Sequence, residues 1–176
     1  PNVVGALLAR RGTTLTPLLH GGGQQQSRRS GTEPVALAVG MATALRLAVM
    51  DMATRHEKCL ALRDRFKTTL ESAGPWHILG PETGGLSHVL LIAFPGVRAD
   101  MALMALDLEG VACSAGAACS SGSMLPSPAL ELLGVPKEHR RSVIRFSMGP
   151  FLTGDEVTRA GEIVAKVIRR LRGVGA

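Results

Sequence analysis

Hydrophobic positions return along this chain at two different spacings, and each spacing predicts its own kind of element. Between Val35 and Ser72 they recur every three or four residues, including Leu37, Met41, Leu45, Met52, Leu60, Leu62 and Phe66. That period predicts two helices or one long bent one, with Pro34 suited to the first helical position because it has no amide to leave unpaired there. A second amphipathic stretch, "TGDEVTRAGEIVAKVIRRL", predicts a terminal helix that starts near Thr153 or Asp155. Shorter helices are predicted over Ala99–Leu108 and from a Ser127 cap through Leu133, ended by Gly134. Strands are predicted at "HILG", at Gly110–Ser114, in the alternating "SVIRFSMG", and most clearly over His88–Phe94. The apolar run Val3–Ala9, closed by Arg10, Arg11 and Gly12, reads as a buried strand. Between it and Pro34 lies "TPLLHGGGQQQSRRSGTEP", too polar for a core and too rich in glycine for a helix. It is expected to be a long ordered loop, and such loops inside compact domains are usually functional or disordered. Strands alternating with helices after a long helix predict an α/β chain with a small α+β domain.

Composition narrows the function classes. With 45% hydrophobic and 19% charged residues, the 176-residue chain can build a packed core and is not expected to be disordered as a whole. One Trp, four Phe and no Tyr leave no stacking platform for single-stranded nucleic acid. The formal charge of +6 is spread over helices and loops as arginine doublets, without a recognised nucleic-acid motif, so an acidic protein or an anionic ligand explains it equally well. No apolar run reaches the roughly 20 residues a bilayer span needs, and the basic pair after the first apolar run is not the order of a signal peptide. Three cysteines without a CxxC pair disfavour a disulfide scaffold or a zinc site and fit free thiols in a reducing, cytoplasmic setting. The chain opens with Pro1 rather than Met, which predicts a processed product or a piece of a longer protein.

Four features could carry chemistry. Cys119 stands in "GVACSAGAACSSGSMLPSP", where it is either a small buried hydrophobe or a thiol displayed for use, among small residues that give access but little to pack against. Cys59, on a helical pattern, and Cys113, in a strand pattern, look like buried structural cysteines. Arg145 interrupts an apolar strand, on the face opposite Ile144 and Phe146. There it pairs with a carboxylate of the chain, snorkels to water, or grips a ligand carboxylate with its fork. "HGGG" at His20–Gly23 has no G-x-S-x-G partner elsewhere, so a lipase-type oxyanion hole is excluded. "RRSGT" at Arg28–Thr32 is either a solvated loop or an anion site. His56, His77, His88 and His139 lack metal-ligand spacing.

Taken in order, "HGGGQQQSRRSGTEP", "GAACSSGSMLPSPALELLGV" and "SVIRFSMGPFLTGDEV" resemble pyridoxal-phosphate-dependent cysteine desulfurases, the group that serves iron–sulfur cluster and nitrogenase assembly. The resemblance runs from "GALLARRG" to the terminal helix. It implies the C-terminal part of a fold-type I PLP-dependent transferase. Residues 1–34 would be the end of the large cofactor domain and the active-site loop, 35–72 the connecting helix or helices, and 73–176 the small domain with the cysteine loop. By position, Cys119 matches the catalytic cysteine that takes sulfur from L-cysteine as a persulfide and leaves L-alanine. Arg145 matches the arginine that binds the substrate carboxylate. Thr32 matches a residue that reaches the cofactor phosphate of a neighbouring subunit, which implies a homodimer, and Arg29 is expected to touch a phosphate or the dimer interface. The implied partners are L-cysteine and a sulfur-acceptor protein such as an iron–sulfur scaffold, with neither membrane nor nucleic acid.

The chain departs from that family at Gln25 and Gln26, where Glu-Arg is common, at Leu91, where asparagine is usual, and at Pro150, which replaces a frequent arginine. The family's Schiff-base lysine precedes the segment that matches Pro1, and none of Lys58, Lys67, Lys137 and Lys166 matches it. Three other readings stay open at this point: a non-catalytic persulfide-accepting or interaction module, a lyase acting on selenocysteine, and a basic nucleic-acid-binding domain.

Overall fold

A computed structural model describes residues 4–81, 85–115 and 128–173. The chain forms two compact units, Pro1–Met52 and Ala53–Ala176.

The first unit begins as chain without regular structure. The run predicted as a buried strand does not become one: residues 4–10 join no sheet, and Leu7 and Leu8 are exposed. An apolar run alone cannot supply the ladder partner that a strand's backbone groups require. The glycine-rich loop that follows is held by its own hydrogen bonds. The Ser30 amide donates to the Leu19 carbonyl (3.3 Å), the Gly31 amide to Gln24 Oε1 (3.3 Å), and Gln25 Nε2 to Glu33 Oε1 (2.5 Å). Within it α1 (Gln24–Ser27) is a single left-handed turn, with φ of 52°, 58° and 62° at Gln25, Gln26 and Ser27. Then comes α2 (Val35–Met50), which has no buried residue. Of the two expected arrangements the chain takes the first, two helices, since α3 (Met52–Thr69) starts after a break at Asp51.

Among the described residues the second unit is a four-stranded antiparallel sheet with its long helices on one face and a short one on the other. Its strands are β1 (His77–Ile78), β2 (Val89–Ala93), β3 (Ser114–Ala115) and β4 (Val143–Ser147), in the order β1-β2-β4-β3. Leu90 pairs with Phe146 and Ile92 with Ile144, so these four side chains share one face of the sheet. They form the core with Leu62 and Phe66 of α3, Leu70 of the 3-10 turn η1 (Leu70–Ala73), Ala102 and Leu106 of α4 (Ala99–Leu108), and Val164 and Ile168 of α6 (Gly154–Gly173). Two devices fix the ends of α6. Thr153 and Glu156 form a capping box, with the Thr153 amide donating to Glu156 Oε2 (2.7 Å) and the Glu156 amide to Thr153 Oγ1 (3.2 Å). At the other end Arg172 donates to the carbonyls of Ala73, Pro75 and Pro95. Strand β3 is shorter and later than predicted because Gly110, at φ 81°, closes α4: the Val111 amide returns to the Leu106 carbonyl (2.9 Å) and leaves the ladder.

Candidate functional site

The strand β4 carries a charge into the middle of the sheet. Arg145 faces away from Ile144 and Phe146, as the alternation predicts, and is half-buried. Its registered neighbours are Leu91 on β2 and Ser114 on β3, so Leu91, Arg145 and Ser114 form one row across the non-core face. The Arg145 Nε is buried, and it has no hydrogen-bond partner among the described residues. A buried donor of a charged group left unpaired costs more than most single interactions return.

Both ends of the cysteine segment are tied to Arg145's side of the sheet. At the start, β3 pairs with β4 at Arg145 itself. At the other end, α5 (Pro128–Leu132) packs Leu130 into a small cluster with Val135, Ala93 and Val143. Ala93 and Val143 are two residues from Leu91 and Arg145, so they belong to the same face. Arg140 fastens this end, donating from Nε to the Val135 carbonyl (2.8 Å) beside an ion pair with Glu131 (3.5 Å). Gly134, at φ 69°, ends α5 as the sequence predicts. Cys119 and Ser127 lie outside the described residues.

The other two thiols are not placed to react. Cys59 is buried, its Sγ donating to the Met148 carbonyl at 3.8 Å. Cys113 is half-buried against the core, and its pKa is pushed up to about 11, first by burial and then by the nearby Asp107 carboxylate. It therefore stays protonated at neutral pH and is a poor nucleophile.

Thr32 and Arg29 are exposed in the loop of the first unit, whereas Arg145 belongs to the second. Sequence reasoning missed Ser114 and the bonds of Gln24 and Gln25, for which the only signal is a strand register and a loop closure. Among the described residues no group of three or more His, Cys, Asp or Glu could hold a metal ion, and no single helix is long and apolar enough to cross a membrane.

The aminotransferase class-V family model matches residues 1–160. The chain belongs to the aminotransferase class V family. It is 37% identical over 175 residues to "Cysteine desulfurase IscS" of Dictyoglomus turgidum, covering 99% of this chain and 44% of that protein. It is 39% identical over 173 residues to "Putative cysteine desulfurase IscS 1" of Bacillus subtilis, covering 97% of this chain and 46% of that protein. Among solved structures, a NifS-like protein matches with a TM-score of 0.78 at 28% identity, covering 92% of this chain and 41% of the other. The NifS-like protein from Rickettsia africae matches with a TM-score of 0.73 at 26% identity, covering 92% and 41%. The chain thus spans less than half the length of the curated relatives it matches. The expected fold class stands: the helices and small antiparallel sheet are those of the C-terminal part of a NifS-like, class V aminotransferase fold.

A pyridoxal phosphate fits the residues of this class V chain only in part. Its aldehyde needs a lysine in an enclosed site. Lys58, Lys137 and Lys166 are exposed, and Lys67 is paired with Asp64 at 2.5 Å. None of the four fits that role.

Proposed function

We propose that this chain is the acid-binding and sulfur-accepting part of a cysteine desulfurase. The observation that carries the reading is the buried Nε of Arg145, without a partner among the described residues, beside the strand that leads toward Cys119. Arg145 holds the carboxylate of L-cysteine through charge-assisted hydrogen bonds. Cys119 follows Ala115 by four residues, so covalent geometry keeps it within about 14 Å of the end of β3. Its thiolate attacks the substrate sulfur. An S–S bond forms and the Cβ–S bond breaks; Cβ keeps the electron pair, takes a proton and leaves as L-alanine, while Cys119 keeps a persulfide. Pyridoxal phosphate, when bound, supplies the electron sink for such chemistry, and its Schiff-base lysine is none of this chain's four. Thr32 reaches the cofactor phosphate of a neighbouring subunit in a homodimer, Arg29 assists there, and an acceptor protein such as an iron–sulfur scaffold takes the sulfur.

The absence of a fitting lysine favours a second reading for this chain by itself: it accepts a persulfide made elsewhere. Both readings require Cys119 to be the thiol that gains sulfur. The test is incubation of the chain with a low-mass persulfide, whose outer sulfur passes to the protein thiolate as the donor leaves as a thiolate. Peptide mapping by mass spectrometry is expected to find the added sulfur on Cys119 and none in Cys119→Ser. Equal uptake by Cys59 or Cys113, or undiminished uptake by Cys119→Ser, would overturn the assignment.

A further inference from the structure

Arg145 stands between a neighbour that cannot hydrogen-bond and one that can. On the β2 side its partner is Leu91, half-buried, which offers no acceptor and keeps that flank apolar. On the β3 side its partner is Ser114, also half-buried, whose hydroxyl can both donate and accept. Registered neighbours on one face have Cβ atoms about 4.5–5.5 Å apart, close enough for both side chains to touch one small ligand. The buried guanidinium atom without a partner among the described residues is Nε, the donor nearest the backbone and so nearest this row.

From these placements we infer that Ser114 is a second binding residue for the acid group that Arg145 takes. This rests on reading Arg145 as a carboxylate clamp and adds how the clamp is built. The carboxylate lies side-on against Nε–H and an adjacent Nη–H of Arg145, and the Ser114 hydroxyl donates to a remaining lone pair. Leu91 is the wall opposite. It leaves Nε unclaimed and lowers the local dielectric, which strengthens the charge-assisted bonds. Such a site takes a carboxylate and rejects the corresponding amide, which brings no charge and places an N–H group against donors.

The test uses the full chain, labelled with nitrogen-15 on arginine, and follows the Arg145 Nε–H signal by NMR, assigned through its loss in Arg145→Lys. L-alanine is the probe and L-alaninamide the control. A saturable shift with L-alanine and none with L-alaninamide is expected. Ser114→Ala should leave the ligand-free signal in place and weaken the apparent affinity about tenfold, with Ser114→Thr restoring it. Leu91→Asn should move the signal before any ligand is added, because its carbonyl then accepts from Nε, and should also weaken binding. Unchanged affinity in Ser114→Ala would overturn the role of Ser114 and leave the Arg145 clamp standing. Failure of the Arg145 signal to respond to L-alanine in the unmodified chain would overturn the clamp and this inference with it.

Discussion

The two compact units of this chain are nearly equal in apolar character and opposite in what they do with it. In the first, the apolar side chains stay outside: Leu8 is 98% exposed and Leu45 60%, and no described residue is buried. In the second, Phe94 and Ile144 are 0% exposed at the centre of a continuous core. The cause is patterning. In α2 the residues Val, Ala, Leu and Met occur on every side, with Arg46 as its one charge, and a helix apolar all round belongs inside something larger. By contrast, α6 keeps a clean stripe of Val157, Val164, Val167 and Ile168 against the core, with Arg159, Arg169 and Arg170 exposed. One unit is organised around its own core, and it holds Arg145 and both anchors of the cysteine segment. The other presents an ordered loop and an apolar helix that call for cover.

Mutations should separate the two accordingly. The largest loss is expected from Phe94→Ala, which empties a fully buried site and should cost ~3–5 kcal/mol, read as a lower urea midpoint. Next comes Gly161→Ala. A Cβ there would overlap Thr69 and press on Phe66, where α6 meets α3, and the overpacking should cost ~1–3 kcal/mol although alanine is the better helix former. Thr153→Ala, which removes one half of the capping box, should cost ~1 kcal/mol. At the small end, Leu45→Ala in α2 should change the chain's stability by no more than ~0.5 kcal/mol. A Leu45→Ala loss as large as that of Phe94→Ala would break the contrast between the units.

Acid sharpens the same contrast. Glu156 is held below the usual carboxylate range by the Thr153 amide and hydroxyl, and Asp100 is held there chiefly by its bond to Arg98. A carboxylate whose folded pKa is depressed adds stability above its unfolded pKa and loses it as the pH falls through the folded one. Stability of the second unit should therefore fall on acidification below the ordinary Glu and Asp range. Glu156→Gln, which keeps a cap acceptor without the charge, should flatten that fall; an unchanged urea-midpoint profile would contradict the assignment.

The sequence was readable wherever one period dominated. Spacing alone located α4 at Ala99–Leu108, and alternation put Arg145 opposite Ile144 and Phe146. It failed over residues 4–9, because an apolar run does not say whether a neighbouring strand exists, and over most of Gly110–Ser114, because a helix-closing turn took residues that looked like strand. Of the site, Arg145 was visible as a charge in an apolar strand, whereas Ser114 was not, since a serine acquires a neighbour across a ladder only once the register is fixed. Cys59 and Cys113 were legible as structural from the helical and strand patterns in which they stand.

The central claim is that this chain carries the acid clamp and the sulfur-accepting thiol but no lysine for the cofactor. The most direct measurement is to incubate it alone with pyridoxal phosphate and L-cysteine and count L-alanine by mass spectrometry. The account predicts no alanine above the background of free pyridoxal phosphate. Alanine formed well above that background, with a persulfide on Cys119 and neither product in Cys119→Ser, would contradict it and would mean that one of Lys58, Lys67, Lys137 and Lys166 serves the cofactor after all.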